Sequence, residues 1–236
     1  MQSPSQQPEF YWFLASQPSR SVKALLGLGE IDFVDKATEF GKHKEEWYGE
    51  MTKGHIHLPF LKVNENWGIS ESATMLRYLA TAYAEKLPAS LYPTDLQQRF
   101  TIDKWLDWSI SSFRPAMTKF IQLTLNKDDA DEHYNEKRVA SYKSTEGAVD
   151  QLEAYLKRAG TDFITGNDVT IADIHIFHEA TSEFMINGPH VAEDEEKRPL
   201  LTAWRKRMIA IPAIGAVNEQ FEAHALPWAN NWLKIE

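Results

Sequence analysis

Residues 10–34 read FYWFLASQPSRSVKALLGLGEIDFV, and the punctuation of this stretch decides how the chain begins to fold. Large apolar residues run from Phe10 to Ala15 and predict a buried strand. The run stops at Ser16-Gln17-Pro18-Ser19-Arg20, where serine and proline favour a turn for plain geometric reasons. From Val22 to Leu28 apolar residues recur on a helical face, which predicts a helix after the break at Pro18. Ile31-Asp32-Phe33-Val34, beyond Gly29, then predicts a second strand. Strand, helix and strand in so short a span imply a parallel βαβ unit.

Further along, Phe60-Leu61-Lys62-Val63 and Trp67-Gly68-Ile69 flank Asn64-Glu65-Asn66, three turn formers, and so predict an antiparallel hairpin. Ser70 and Glu71 open a helix whose stripe is Met75, Leu76, Leu79 and Tyr83. With a short helix expected near Glu45–Met51, the order is β-α-β followed by β-β-α, the thioredoxin-like order. Leu87 to Asp95 carries two prolines and no periodicity, and after it the strand signals cease. Apolar positions then recur only at helical spacing: Ile102, Trp105, Leu106 and Phe113; Val149, Leu152 and Leu156; Ile174, Phe177, Thr181 and Phe184; Leu201, Trp204, Met208 and Ile211. The expectation is a two-domain α+β / α chain. Residues 1–87 form a thioredoxin-like domain with a loose polar lead at 1–8, residues 88–95 a linker, and residues 96–236 an all-α domain.

Composition narrows the function. Hydrophobic residues are 43% and charged residues 25% of 236, enough apolar content to bury real cores. Apolar runs are far shorter than the ~20 residues a membrane-spanning helix needs, so no membrane association is expected. Residues 1–9 lack the basic start and apolar centre of a secretory signal, and a cytoplasmic location is the expectation. A formal charge of −9 opposes a nucleic-acid surface while leaving room for a local basic pocket. The absence of cysteine excludes disulfides, thiolate metal sites and dithiol redox chemistry, so any sulfur chemistry must use a substrate's thiol.

Several separated pieces carry a resemblance to one family: SQPSR at 16–20, HKEEW at 43–47, HLPFL at 57–61, ESATMLRYL at 71–79 and YPTDLQQR at 92–99. To these are added Trp108 six residues before Arg114, TGNDVTIAD at 165–173 and RPLLTAWRKR at 198–207. In this order and spacing, over about residues 9 to 228, the chain resembles a cytosolic glutathione transferase of the theta class. The resemblance implies an enzyme that conjugates the thiolate of glutathione to small hydrophobic electrophiles, acts as a homodimer and needs no metal. A non-catalytic binding or scaffold module on the same fold is the alternative.

The same resemblance implies the site. Ser16, just past the first strand, takes the place of the hydroxyl that hydrogen-bonds the glutathione sulfur, with Ser19 as the competing serine; either is otherwise an ordinary turn or capping residue. Leu58-Pro59 matches the family's cis-proline step, at which Leu58 pairs with the cysteinyl backbone. Glu71 and Ser72 open a helix whose free N–H groups suit the γ-glutamyl carboxylate. His43 and Lys44 stand where basic side chains hold the glycine carboxylate. His57 stands where relatives often carry lysine, and would serve only in a pH-dependent way. The loop at 51–57, MTKGHIH, departs from the usual Asn-Pro-Xaa-Gly pattern and is one residue longer. Arg114 would stabilise negative charge on the sulfur or a carboxylate. Phe113 and Met117, with Trp228 and Trp232 as a lid, would line the hydrophobic substrate site. Thr170–Asp173 reads as a structural capping box, and His175, His178 and Glu179 as helix packing in preference to metal ligands.

Overall fold

A computed structural model describes residues 7–39, 41–126, 130–186 and 195–232, with the side chains at 124–125, 182–186 and 225–232 outside the description. Strand β1 (Glu9–Trp12) is shorter than the apolar run that marks it, because the backbone turns at Leu14 and Ala15 and the Ser16 N–H closes onto Phe13 O at 3.0 Å. Helix α1 (Gln17–Leu28) begins five residues before its apolar face. Pro18 sits in its first turn, where a missing N–H costs nothing and the fixed φ suits a helix, so the proline starts the helix instead of breaking it.

Strand β2 (Val34–Ala37) pairs parallel with β1, from Glu9↔Val34 to Trp12↔Ala37. It lies three residues later than the apolar residues predict. Ile31 is buried, but its N–H bonds to Leu26 O at 2.9 Å and belongs to the end of α1. An edge strand that is mostly exposed carries little apolar alternation to read. After α2 (Glu46–Met51), strands β3 (Phe60–Asn64) and β4 (Trp67–Ile69) form the antiparallel hairpin, with Asn64 Oδ1 accepting the Asn66 N–H in the turn. The sheet order is β2-β1-β3-β4. Helix α3 (Ser72–Ala82) buries Met75, Leu76 and Leu79.

Residues 83–95 form no helix or strand, yet Leu87 and Leu91 are buried and Leu91 O accepts the Ile171 N–H at 3.1 Å. The elements described after them are all helices, with one isolated bridge at Phe163 and Gly166. The helices are α4 (Leu96–Trp108), α5 (Arg114–Leu125), α6 (Tyr134–Ala159), α7 (Ile171–Ile186), α8 (Pro199–Ala210) and α9 (Pro212–Trp232). Asp95 caps α4 by accepting the Gln98 N–H. Between α4 and α5 the segment Ser109–Phe113 is a π-helix. The widened turn leads directly into α5, with Pro115 in that helix's first turn, where a missing N–H is tolerated. The expected helical faces are the buried ones apart from Ile211, which is half-buried just past the end of α8, and Phe184, which lies outside the described side chains.

Helix α7 is the hub, packed against α1, α3, α4, α5, α8 and α9. From Ile171 to Thr181 it is buried on every side, so its polar residues must find partners inside the protein. Asp173 does so fully: Oδ1 accepts from Ile164 N and Trp204 Nε1, and Oδ2 from Thr170 N and Thr170 Oγ1. The expected capping box is therefore half of a wider node joining the 161–170 loop to α7 and α8.

Candidate active site

The N-termini of α1 and α3, the loop before β3 and the π segment enclose a cavity of about 350 Å³. Leu58 and Pro59, joined by a cis peptide bond, form one side together with His57. Glu71 and Ser72 at the head of α3 form another, and Arg114 closes it from the helical part. Glu71 holds φ +68°, a left-handed conformation for a residue with a side chain, which turns the chain sharply into α3. The first N–H groups of that helix have no acceptor of their own and carry partial positive charge, an arrangement that favours an anion.

Of the residues singled out from sequence, His57, Leu58, Pro59, Glu71, Ser72 and Arg114 converge on this cavity. Ser16 is not one of its walls; it is the half-buried N-cap residue of α1, makes no capping bond, and lies two residues before Pro18, which is a wall. Ser19 is fully buried and its Oγ accepts the Phe13 N–H at 3.4 Å, fastening the turn between β1 and α1. His43 and Lys44 lie on a short 3₁₀ turn and are not among the walls of the cavity. Partial burial, and then the charges of Lys44 and His57, draw the His43 imidazole below its ordinary pKa.

Phe113 and Met117 sit in the hydrophobic core, 0% and 1% exposed, and Ile110 instead reaches the cavity beside Arg114. Neighbours on a helix point about 100° apart, so standing next to Arg114 in sequence did not put Phe113 on the same surface. Ring packing of Phe113 on Trp108 at 5.2 Å holds it inward. Trp228 and Trp232 belong to α9, and their side chains, with the expected lid, lie outside the described residues. Pro18, His55, Ser70 and Ile110 are wall residues that sequence reading passed over.

Behind the cavity stands a buried polar layer. Arg114 Nη1 lies 3.6 Å from Glu179 Oε1, and Glu179 is fully buried. Burial pushes the Glu179 carboxyl up to about 7, against the pull of Arg114 and Arg20. Arg20, also fully buried, donates to Leu14 O and His178 O and stacks at 3.6 Å on the Phe221 ring, and burial draws it down to about 9. His175 spans Ser72 Oγ and Ser109 Oγ. These buried groups of α7 thus serve the protein's own interior, and no local signal marked His175 or Glu179 as neighbours of the site.

A helix start that favours an anion, an arginine and a cis-proline step on one cavity suit an extended peptide with acidic ends. Residues 113–212 match the family described as Glutathione S-transferase, C-terminal domain. The chain is 29% identical to rat (Rattus norvegicus) glutathione S-transferase theta-2 over 86% of this chain and 80% of that protein. It is likewise 29% identical to the mouse (Mus musculus) theta-2 protein, over 92% of this chain and 85% of the other. In structure it is similar to human glutathione transferase theta-2, solved with glutathione and an unknown ligand, at a TM-score of 0.79 and 24% identity over 96% and 90% of the two chains. Residues 113–212 thus match the C-terminal domain of glutathione S-transferases, and the chain is similar over most of its length to theta-class glutathione transferases.

Proposed function

We propose that the protein transfers the thiolate of glutathione to an electrophilic carbon of a small apolar compound, with the Ser16 hydroxyl hydrogen-bonding the sulfur. The observation that carries this reading is the convergence of Leu58-Pro59, Glu71-Ser72 and Arg114 on one cavity next to the β1–α1 turn. On this reading the α3 N-terminus and Ser72 take the γ-glutamyl carboxylate, Glu71 the ammonium, and Leu58 the cysteinyl backbone. His43, Lys44 and His57 attract the glycine carboxylate, and Arg114 offsets charge near the sulfur. The sulfur lone pair forms the new S–C bond while the leaving group departs with its bonding pair, or the electrons of a double bond move to the adjacent atom. Stabilising the thiolate and holding both reactants together supply the rate enhancement. The glutathione site belongs to residues 1–87 and the apolar site to residues 96–236, joined through 88–95.

The reading includes a cytoplasmic homodimer. It is supported by the exposure of Trp67, Leu96 and Phe100, apolar surface of the kind a subunit contact covers. Among the described residues no helix is long and apolar enough to cross a membrane.

The test is a pH titration of bound glutathione by thiolate absorbance. A donor to the charged form lowers a thiol's pKa, so the bound value should fall one to two units below the ordinary ~8.5. A bound thiol that titrates like the free one removes the thiolate role, and no detectable binding removes the whole reading.

His43 supplies a pH dependence. Its lowered pKa leaves the ring neutral at pH 7, and an anion bound beside it favours the charged form. Binding then takes up a proton, so affinity rises as pH falls. Calorimetry with S-methylglutathione, which has no free thiol, should show Kd about fivefold lower at pH 5.5 than at pH 8, and a shallower profile in His43→Gln, where only His57 remains. A flat wild-type profile would take His43 out of the site.

A further inference from the structure

His175 touches a hydroxyl with each ring nitrogen: Nε2 is 3.0 Å from Ser72 Oγ and Nδ1 is 2.9 Å from Ser109 Oγ. The ring is fully buried, and burial together with the cations Arg114 and Arg77 pulls its pKa down to about 3, so it is neutral at working pH. A neutral imidazole has one N–H donor and one bare acceptor. Two hydrogen-bond patterns are then available. With the proton on Nδ1, His175 donates to Ser109 and accepts the O–H of Ser72, whose proton is consumed. With the proton on Nε2, His175 donates to Ser72 Oγ, the Ser109 O–H turns to donate to Nδ1, and the Ser72 proton is released.

Ser72 is 4% exposed and nonetheless forms part of the cavity wall. An ionised carboxylate can only accept hydrogen bonds, so it engages Ser72 Oγ only if that hydroxyl keeps a proton to donate. We propose that His175 is a positioning residue for anion binding at the head of α3, locked as the Nε2–H tautomer in the ligand-bound protein so that Ser72 donates to the carboxylate. The chain of donors runs Ser109 O–H to Nδ1, Nε2–H to Ser72 Oγ, and Ser72 O–H to the ligand. Ser109 opens the π segment that carries Ile110 and leads into Arg114 at the start of α5, so one ring of α7 holds two walls of the cavity in a single arrangement. The inference rests on Ser72 as the seat of a glutathione carboxylate.

The experiment is nitrogen NMR of the whole protein labelled with ¹⁵N at histidine and saturated with S-methylglutathione, in which Nδ1 and Nε2 shifts report the tautomer. Loss of one ring's signals in His175→Gln assigns it. The expected bound state is Nε2–H throughout pH 6 to 8; an Nδ1–H ring, a mixture or an imidazolium overturns the proposal. Absence of S-methylglutathione binding would instead overturn the reading of the site, so the two failures are distinguishable. As a second readout, His175→Gln keeps a donor toward Ser72 and should hold KM for glutathione near wild type. His175→Leu removes that donor and should raise KM about fivefold with kcat unchanged. Equal KM values in the two variants would count against the donor role.

Discussion

Replacing Ser16 by alanine is expected to lower kcat/KM for conjugation about a hundredfold and to leave the fold intact, since losing one donor to a developing or resident anion costs that order of rate. The structure explains why rate and stability should separate here. Ser16 is the N-cap residue of α1, but its hydroxyl makes no capping bond, so alanine forfeits little of the ordinary N-cap contribution of about 1 kcal/mol. Ser19→Ala is the matched control. Its buried Oγ accepts the Phe13 N–H, and losing that hydrogen bond should cost about 1 kcal/mol of stability while turnover survives. Steady-state kinetics with a chromogenic electrophile, alongside thermal melts of both variants, separates the two serines. Full turnover in Ser16→Ala with loss in Ser19→Ala would transfer the role.

Asp173→Ala should produce the largest loss of stability, about 4 kcal/mol, with a fall in Tm of roughly 10 °C. Four donors end on this one carboxylate: Ile164 N at 2.8 Å, Trp204 Nε1 at 3.0 Å, Thr170 N at 3.0 Å and Thr170 Oγ1 at 2.7 Å. Ile164 and Trp204 are themselves buried, so no water replaces the acceptor once it is gone. Burial pushes the Asp173 carboxyl above its usual range while those four donors oppose the rise. Asp173→Asn should recover little, because one oxygen becomes an NH₂ group facing N–H donors. KM for glutathione in the folded fraction should stay at the wild-type value. A melt within a few degrees of wild type for Asp173→Ala would contradict the node, and an unchanged melt with a raised KM would move Asp173 into the binding site.

Much of the architecture was legible because its signals are local. The βαβ start, the hairpin around Asn64–Asn66 and the buried stripes of α4, α6, α7 and α8 all follow from which residues are apolar and at what period. Where the signal was absent, the expectation drifted. Strand β2 carries its pairing through backbone groups on an exposed edge, and the apolar residues just before it serve the end of α1. Pro18 looked like a break because a proline in a helix and a proline at its start are the same letter.

The site divides in the same way. Leu58-Pro59, Glu71-Ser72 and Arg114 were named through the family resemblance that short separated motifs carry, and they converge on one cavity. Ile110 was missed and Phe113 misplaced because a side chain's direction depends on what packs against its helix. His175 meets Ser72 across 103 positions, and Glu179 meets Arg114 across 65. Short-range periodicity and capping chemistry act between residues a turn apart, so sequence by itself determined the elements, their order and the motif residues at their ends. Which polar groups face one another across the buried α7 depends on how helices from both parts of the chain pack together, and only the tertiary structure decided it.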